Sequence, residues 1–343
     1  MRKFFNTLYV TTQGCYLAKE RETVAVHLDD DTKQRFPFHN LDGLVCMGNI
    51  RLSPYLIGAC GKKGITISYL SEHGQFLGRF TGSVSGNVLL RRRQFRYADH
   101  PEKKAAIARS VVTGKILNAN TVLKRFPRDN PDNQAVPRIR SVIEKLKRIT
   151  DRISGVQDLD IIRGMEGEAA SLYFSVFNDL ILSDSKEMTF TGRNRRPPLD
   201  PVNAMLSFAY TLLHHDVVSA CESVGLDPAV GFLHTDRPGR HSLALDLMEE
   251  FRSFFADRLV LSMINRQQIS QKDFIFHSSG AVMLKDKARK TFIQTYQERK
   301  KDALTHPFLN EKMPIGTVFF YQALLLARFI RGDLDGYPPF IWR

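Results

Sequence analysis

The sequence predicts an α+β fold with a small N-terminal β-rich domain followed by a larger all-α C-terminal domain. Short segments rich in β-branched and aromatic residues, separated by turn residues, recur over residues 6–80. Beyond residue 100, apolar residues recur at helical spacing. With 343 residues, the chain is long enough for two or three domains, each with its own core. We therefore predict domains over residues 1–85 and 86–343.

In the N-terminal domain, β propensity predicts strands at 7–11, 23–27, 34–38, 44–46, 65–70 and 76–80. A helix is predicted to begin at Ser53-Pro54, because serine caps helices and proline at the first helical position loses no useful donor. We expect it to end at Gly61-Lys-Lys-Gly64. The small residues at 81–87 predict a flexible linker.

In the C-terminal domain, the apolar spacing predicts a helix over 101–126, a break at Pro127-Arg-Asp-Asn-Pro131, and a second helix over 136–149. Further helices are predicted at about 160–184, 201–224, 242–265, 285–304 and 314–332. Residues 337–340 predict a non-helical tail.

Composition excludes several protein classes. The chain is 43% hydrophobic and 25% charged, which is ordinary for a globular protein and untypical of a disordered or fibrous one. No apolar run approaches the roughly 20 residues that cross a bilayer, and no signal peptide is predicted. The four cysteines contain no CxxC pair, so we expect free thiols, a cytoplasmic location and no contact with a membrane.

The positive charge is concentrated in one part of the chain. The formal net charge is +13, and residues 81–160 carry +9 of it, against +3 for residues 1–80 and +1 for residues 161–343. Arginine outnumbers lysine in the basic segment, and arginine suits phosphate binding. This pattern favours a nucleic acid partner, although a solvated basic surface is the alternative interpretation.

Acidic residues suggest a metal site in the helical domain. Glu166 lies between Gly164 and Gly167, where a ligand can approach closely, although a solvated acidic first turn would look the same. His234 leads into a polar loop. Asp246, Glu249 and Glu250 stand at i, i+3 and i+4 on one side of a predicted helix. Carboxylates clustered in this way repel one another unless a cation lies between them.

Two carboxylates and one imidazole suit Mg²⁺ or Mn²⁺, and manganese better matches the nitrogen ligand. In a basic protein, such a site favours metal-assisted phosphodiester chemistry. Because all three residue types are common, residue type and spacing alone do not identify the site.

Four motifs make the pattern more specific. They are G-M-E-G-E-A-A-S-L-Y-F at 164–174, R-R-P-P-L-D-P-V-N-A-M-L-S-F-A-Y at 195–210, G-F-L-H-T-D-R-P-G-R at 231–240 and S-L-A-L-D-L-M-E-E-F-R at 242–252. In this order, on a β-then-α chain, they resemble the CRISPR-associated adaptation endonuclease/integrase, the larger of the two universal spacer-acquisition proteins. The resemblance covers essentially the whole chain and is greatest to members that accompany type I-C systems.

The resemblance implies that Glu166, His234 and Glu249 bind the catalytic metal and that Asp246 supports the site. Glu168 and Glu250 are not expected to be ligands. It also implies a homodimer formed through the β-rich domain, double-stranded DNA as substrate, and a small dimeric second adaptation protein as partner. The reaction it implies is the attack of a DNA 3′-hydroxyl on a phosphodiester at the boundary of a CRISPR repeat.

We expect the basic segment and several polar residues near the metal to bind the DNA backbone. These residues are Arg193, Arg195, Arg196, Asn203, Tyr210, Arg237 and Arg240. For Asn203, a structural role as a helix cap or bridge is an equally good interpretation. Two other functions remain open from the residues: a structure-selective nuclease that cuts branched DNA in repair, and a non-catalytic DNA scaffold.

Overall fold

Two four-stranded β-sheets form most of the N-terminal part of the computed structural model. The structure describes residues 7–28, 32–41, 43–72, 76–82, 88–182, 188–194 and 197–342. Contacts divide the chain into two units, Met1–Gly86 with Arg289–Lys300, and Asn87–Ala288 with Lys301–Arg343. Within the described residues, no helix is both long enough and apolar enough to cross a membrane.

The strands of the first unit are β1 (Thr7–Val10), β2 (Tyr16–Glu20), β3 (Thr23–His27), β4 (Lys33–Pro37), β5 (Gly43–Met47), β6 (Arg51–Leu52), β7 (Thr66–Leu70) and β8 (Phe76–Phe80). One sheet has the order β1-β5-β7-β8, and the other has the order β4-β3-β2-β6. Strands β1, β5 and β7 are parallel, and β8 is antiparallel to β7. The two sheets and one helix share a single apolar core.

That helix, α1 (Pro54–Lys63), begins and ends as predicted. The Ser53 side chain accepts a hydrogen bond from Leu56 N at 3.1 Å, and Gly64 ends the helix with φ +69°. The buried core beside it contains free cysteines, and burial raises the pKa of the Cys46 thiol to about 12. This thiol is therefore protonated and unreactive at neutral pH.

All six predicted strands are present, with ends shifted by a few residues at most. The short strands β2 and β6 were not predicted. Strand β2 has the sequence YLAKE, and its lysine and glutamate are depleted in strands. Its conformation comes from pairing with β3, where Leu17 lies opposite Val26 and both side chains enter the core. Of the predicted linker, residues 83–87 lie outside the described part of the chain.

The C-terminal part is mostly helical, which confirms the predicted fold class. Its helices are α2 (Val88–Asp99), α3 (Pro101–Asp129), α4 (Val136–Ile153), α5 (Leu159–Ser175), α6 (Pro201–Ser223), α7 (Ser242–Phe251), α8 (Arg258–Asn265), α9 (Asp286–Lys301) and α10 (Ile315–Arg331). Helix α3 packs against α4, α5 and α7. Two short hairpins, β9 (Phe274–Phe276) with β10 (Val282–Leu284) and β11 (Ala303–Thr305) with β12 (Lys312–Pro314), interrupt the helical series.

Several helix limits differ from the prediction. Helix α2 was not predicted, and α3 continues two residues beyond Pro127 before it ends. Helix α5 ends at Ser175 rather than near residue 184, and a cluster of aromatic rings follows it. The predicted helix at 242–265 is present but contains a π-helical segment, Arg252–Asp257, between α7 and α8.

The non-helical C-terminal tail is bound to α7 through Glu250. The Glu250 carboxyl group accepts hydrogen bonds from Tyr337 Oη at 2.7 Å, Phe340 N at 2.8 Å and Gln322 Nε2 at 2.9 Å. The Asn118 side chain on α3 donates to the backbone oxygens of Glu250, at 2.7 Å, and Phe340, at 2.8 Å. The tail thus fastens α3, α7 and α10 together.

Burial raises the pKa of Glu250 to about 8, even though these hydrogen bonds oppose the shift. Between pH 4.5 and about 8, folded Glu250 keeps a proton that the unfolded chain releases. The free energy of unfolding contributed by this group is therefore greatest at or below pH 4.5 and falls as the pH rises through this range.

We predict that Glu250→Gln removes this loss of stability, because glutamine has the shape and neutrality of the protonated acid. The free energy of unfolding of the variant, relative to the native protein, should rise by roughly 1 kcal/mol per pH unit across the window. Urea denaturation at several pH values between 5 and 8 measures this difference. Parallel stability curves for the two proteins would show that Glu250 is ionised in the folded state.

Candidate metal centre

The predicted acidic residues lie where three helices meet. Helix α5 carries Glu166 in its second turn, and α7 carries Glu249 in its last turn. Helix α3 packs against both of these helices and presents Lys115 to them. The two glutamates are 83 positions apart in the sequence and approach each other only through this packing.

The Lys115 ammonium group lies between the two carboxylates. It forms an ion pair with Glu166 Oε1, and its Nζ is 2.8 Å from Glu249 Oε2. The exposed fractions of the side chains are 14% for Lys115, 27% for Glu166 and 3% for Glu249. A single ammonium group therefore pairs with two carboxylates, of which Glu249 is buried and Glu166 is half-buried.

Glu249 is charged despite its burial. Burial alone would raise the pKa of Glu249, but the charges of Arg252, Lys115 and His234 lower it to about 2. Arg252 Nη2 lies 2.9 Å from Glu249 Oε1, one helical turn further on. The other oxygen, Oε2, is buried and makes no hydrogen bond of ordinary geometry, although Lys115 is close to it. Oε2 is therefore the oxygen that faces the Lys115 ammonium group.

Asp246 holds His234 and its loop. Its Oδ1 accepts from His234 N at 2.9 Å and is 2.7 Å from His234 Nδ1. Its Oδ2 accepts from the backbone N–H groups of Phe232, at 2.6 Å, and Leu233, at 3.0 Å. The carboxylate is therefore saturated by these four contacts. Since Nδ1 is engaged, Nε2 is the ring nitrogen that can bind a metal.

The loop needs glycine at Gly231. A Cβ atom there would lie 2.6 Å from Ser242 Cβ and 2.9 Å from the Ser242 carbonyl carbon. This close approach places the start of the loop against the first turn of α7, within reach of Asp246. From the other side, Arg163 on α5 donates to Leu233 O at 2.8 Å. The loop is thus fixed between α5 and α7.

The predicted ligands form two groups in the structure. Glu166 and Glu249 surround Lys115, whereas His234 is paired with Asp246. Within the described ranges, no three His, Cys, Asp or Glu side chains converge closely enough to hold an ion in this arrangement. The donor set nevertheless suits a divalent cation, because two carboxylates already share one positive charge and an oriented imidazole lies nearby.

An open cleft adjoins Glu166 and is lined partly by Lys115, Glu166 and Arg252. At its base, Tyr210 Oη donates to Asp257 Oδ1 at 2.6 Å. Burial raises the pKa of Asp257 to about 6, although the hydrogen bond from Tyr210 lowers it. Glu166 is the predicted ligand that lines this cleft, so a substrate that occupied the cleft would contact it.

The other acidic residues fall outside this centre. Glu168, two positions from Glu166, is exposed to solvent. Glu250, next to Glu249, is bound to the C-terminal tail. That neither residue is a metal ligand stays a prediction.

The residues predicted to contact DNA have different surroundings. Arg237 is exposed, and Arg240 is half-buried with its Nε donating to Ser242 Oγ at 3.2 Å. Arg193 donates to Asn203 Oδ1 at 2.6 Å and lies over the Tyr210 ring. Arg195 and Arg196 lie outside the described residues.

Asn203 is 0% exposed, and its amide group is fully engaged. Besides accepting from Arg193, it accepts from Asn194 N at 3.1 Å and donates to Gly192 O at 2.8 Å and Asp200 Oδ2 at 2.6 Å. This environment favours the structural interpretation of Asn203, in which it binds the preceding loop to the start of α6.

Lys115 and Arg252 were not predicted from the sequence, whereas Tyr210 was predicted, with Asn203, to contact the DNA backbone near the metal. Arg252 follows Glu249 at i+3 on a predicted helix, so helical spacing could have identified it. Lys115 is 51 positions from Glu166, and no local pattern connects them. Tyr210 belongs to one of the recognised motifs, but its hydrogen bond to Asp257 depends on the packing of α6 against the π-helical segment.

The sequence pattern of the family described as "CRISPR associated protein Cas1" matches residues 8–298. The CRISPR-associated endonuclease Cas1 1 of Chlorobaculum tepidum is 53% identical over 343 residues, which cover 100% of both chains.

Solved structures share the fold. A chain from a Cas6-RT-Cas1–Cas2 complex superimposes with a TM-score of 0.83 at 21% identity, covering 98% of this chain and 36% of that one. A casposase bound to an integration product gives a TM-score of 0.82 at 23% identity, covering 99% of this chain and 95% of that one.

We predict that Asp246→Asn destabilises the protein by about 3 kcal/mol or more, because the amide nitrogen cannot accept the hydrogen bonds that one carboxylate oxygen now accepts. Urea denaturation measures the loss. Asp132→Asn, at an exposed loop position, is the matched control and should stay within about 0.5 kcal/mol of the native protein. Equal stability of the Asp246→Asn and native proteins would contradict the assigned contacts.

Proposed function

The chain belongs to the Cas1 family of CRISPR-associated proteins, and from this premise we propose that Glu166, His234 and Glu249 hold its divalent cation. The protein is an endonuclease and integrase of spacer acquisition, which inserts short foreign DNA segments into a CRISPR array. The observation that carries the metal proposal is the pair of carboxylates around one cationic atom, with an oriented histidine beside them.

The proposed reaction is a transesterification. A DNA 3′-hydroxyl oxygen forms a bond to the phosphorus of a phosphodiester, and the bond from that phosphorus to its leaving oxygen breaks. No protein nucleophile takes part. A divalent cation, Mg²⁺ or Mn²⁺, would stabilise the negative charge that develops on the attacking and leaving oxygens.

The side chains of the centre have separate tasks in this proposal. Glu166 and Glu249 supply carboxylate oxygens, and His234 supplies Nε2. Asp246 keeps the His234 proton on Nδ1 and holds the ring in position, as carboxylate partners of metal-binding histidines commonly do. Arg252 remains on Glu249 and keeps that carboxylate ionised.

The DNA backbone would lie along the exposed basic residues. Arg237 and Arg240 come from the loop that carries His234, so phosphates bound there would lie close to the metal. Helix α4 buries one apolar side and exposes six basic residues, of which Arg138 also pairs with Asp179. They are Arg138, Arg140, Lys145, Lys147, Arg148 and Arg152. Phosphate contacts of this kind position the duplex without reading its sequence. Arg193 and Asn203 would hold the loop that precedes α6 in position and would not contact DNA.

The wider assembly is also proposed. Double-stranded DNA and a small dimeric second adaptation protein, Cas2, would be its partners, as in the Cas1–Cas2 complex that contains a chain of this fold. Residues 1–85 would form a homodimer, and residues 86–343 would bind metal and DNA. The four motifs suggest a type I-C system, and the buried free cysteines fit a reducing cytoplasm.

The metal site is tested by an integration assay on supercoiled DNA that carries a repeat, with and without Cas2. Glu166→Gln should lower the rate of joining by roughly a thousandfold, which corresponds to several kcal/mol of lost stabilisation. His234→Ala and Glu249→Gln should act similarly. Glu168→Gln, two residues from Glu166, and Glu250→Gln, next to Glu249, are the matched controls and should retain activity.

Unchanged joining by Glu166→Gln would refute the proposed metal site. If the native protein instead cuts branched DNA equally well with and without Cas2, and joins nothing, a nuclease of DNA repair is the better description.

We predict that Arg237→Ala and Arg240→Ala each weaken binding to duplexes of any sequence. Each variant should also reduce the slope of log affinity against log salt concentration by about 1, because one phosphate contact is lost. Fluorescence anisotropy at several salt concentrations measures both effects. Arg35→Ala, at an exposed position paired with Glu20 in the N-terminal unit, is the control. A slope unchanged from that of the native protein would remove these arginines from the DNA path.

A further inference from the structure

Lys115 holds the position between Glu166 and Glu249 that a metal ion would need. We propose that Lys115 is a tethered cation that pairs with both glutamates in the absence of metal, and that it would move to a DNA phosphate when a metal binds there. This inference rests on the proposed metal site and adds to it a physical link between metal binding and DNA binding.

The Lys115 ammonium contacts Glu166 Oε1 and Glu249 Oε2 at the same time. A divalent cation bound to both glutamates would lie between the same carboxylates, at shorter distances than an ammonium group. Two positive centres at that spacing repel strongly. Metal and ammonium therefore exclude each other, and the lysine side chain must withdraw.

Glu249 has two cationic partners, and of these Lys115 has the side chain that can move away from the carboxylate. Arg252 is held by two contacts: it pairs with Glu249 Oε1 at 2.9 Å, and its guanidinium carbon is 4.9 Å from the centre of the Tyr210 ring. The Lys115 side chain has a flexible four-carbon stem and lines the open cleft together with Glu166. Rotation about the bonds of this stem would carry the ammonium group toward the cleft.

The charges around the cleft indicate where the Lys115 ammonium group would go. Within the described part of the chain, Lys115 forms ion pairs with these two glutamates alone. Once the metal replaces it, the ammonium group has lost both anionic partners and remains tethered within a few ångströms of the cleft. A DNA phosphate in the cleft would supply the missing negative charge. Metal and DNA then favour each other's binding, and by thermodynamic linkage the effect is equal in both directions.

The test is a titration with Mn²⁺, followed by electron paramagnetic resonance of the free ion. The probe DNA is a short duplex with dideoxy 3′ ends, which cannot be joined. Without DNA, Lys115→Met should bind Mn²⁺ about tenfold more tightly than the native protein, because no internal cation competes. The duplex should tighten Mn²⁺ binding to the native protein and have a much smaller effect on the variant. Lys62→Met, at an exposed position of α1 in the N-terminal unit, should match the native protein in both titrations.

Lys115→Arg addresses the case in which Lys115→Met does not fold. Arginine keeps the charge and grips carboxylates with two parallel hydrogen bonds, so this variant should bind Mn²⁺ more weakly than the native protein. Thermal unfolding gives an independent measurement: Mn²⁺ should raise the melting temperature of Lys115→Met more than that of the native protein.

The proposal about Lys115 is overturned if Lys115→Met binds Mn²⁺ no more tightly than the native protein, or if DNA strengthens Mn²⁺ binding equally in both. If Lys115→Met does not fold, unchanged Mn²⁺ affinity in Lys115→Arg overturns it. In either case the metal site itself stands, provided that Glu166→Gln abolishes Mn²⁺ binding. Failure of the native protein to bind Mn²⁺ at all would refute the proposed metal site instead.

Discussion

The buried negative charge of Glu249 is the constraint around which the helical unit is organised. A carboxylate withdrawn from water costs several kcal/mol unless cations lie against it. Here two cations do so, Arg252 from the following turn and Lys115 from α3. Because Lys115 also binds Glu166 on α5, the neutralisation of one charge fixes three helices at a common point. The glycine that brings the His234 loop against α7 completes the arrangement.

Glu249 and Glu250 are adjacent on α7 but make different contacts, because helical neighbours point about 100° apart. Glu249 points to the cationic centre, whereas Glu250 points to the C-terminal tail, where burial raises its pKa to about 8. The π-helical segment that follows changes the phase of the helix. Arg252 and Asp257, five positions apart, would point about 140° apart on an α-helix, but both line the cleft here.

Much of the fold could be predicted because the determining signals are local. Ser53-Pro54 and Gly64 define α1, and the apolar spacing of α4 is regular. Strand β2 and the two hairpins of the C-terminal part were not predicted, because pairing between strands, not propensity, determines them. At the site, spacing grouped Asp246, Glu249 and Glu250 on one side of a helix. Only packing decides that the first holds a histidine, the second faces a cation and the third holds the tail.

In the structure, side chains of the basic segment point in different directions. Lys115 belongs to the basic segment of residues 81–160, yet it points inward to the acidic centre, while α4 exposes its basic side to solvent. Glu166 and Glu249 are balanced by Lys115 and Arg252, so these four side chains carry no net charge. A divalent cation added to them leaves two positive charges in excess. The centre would therefore attract a phosphodiester most strongly after the metal is bound, which favours an order in which DNA chemistry follows metal entry.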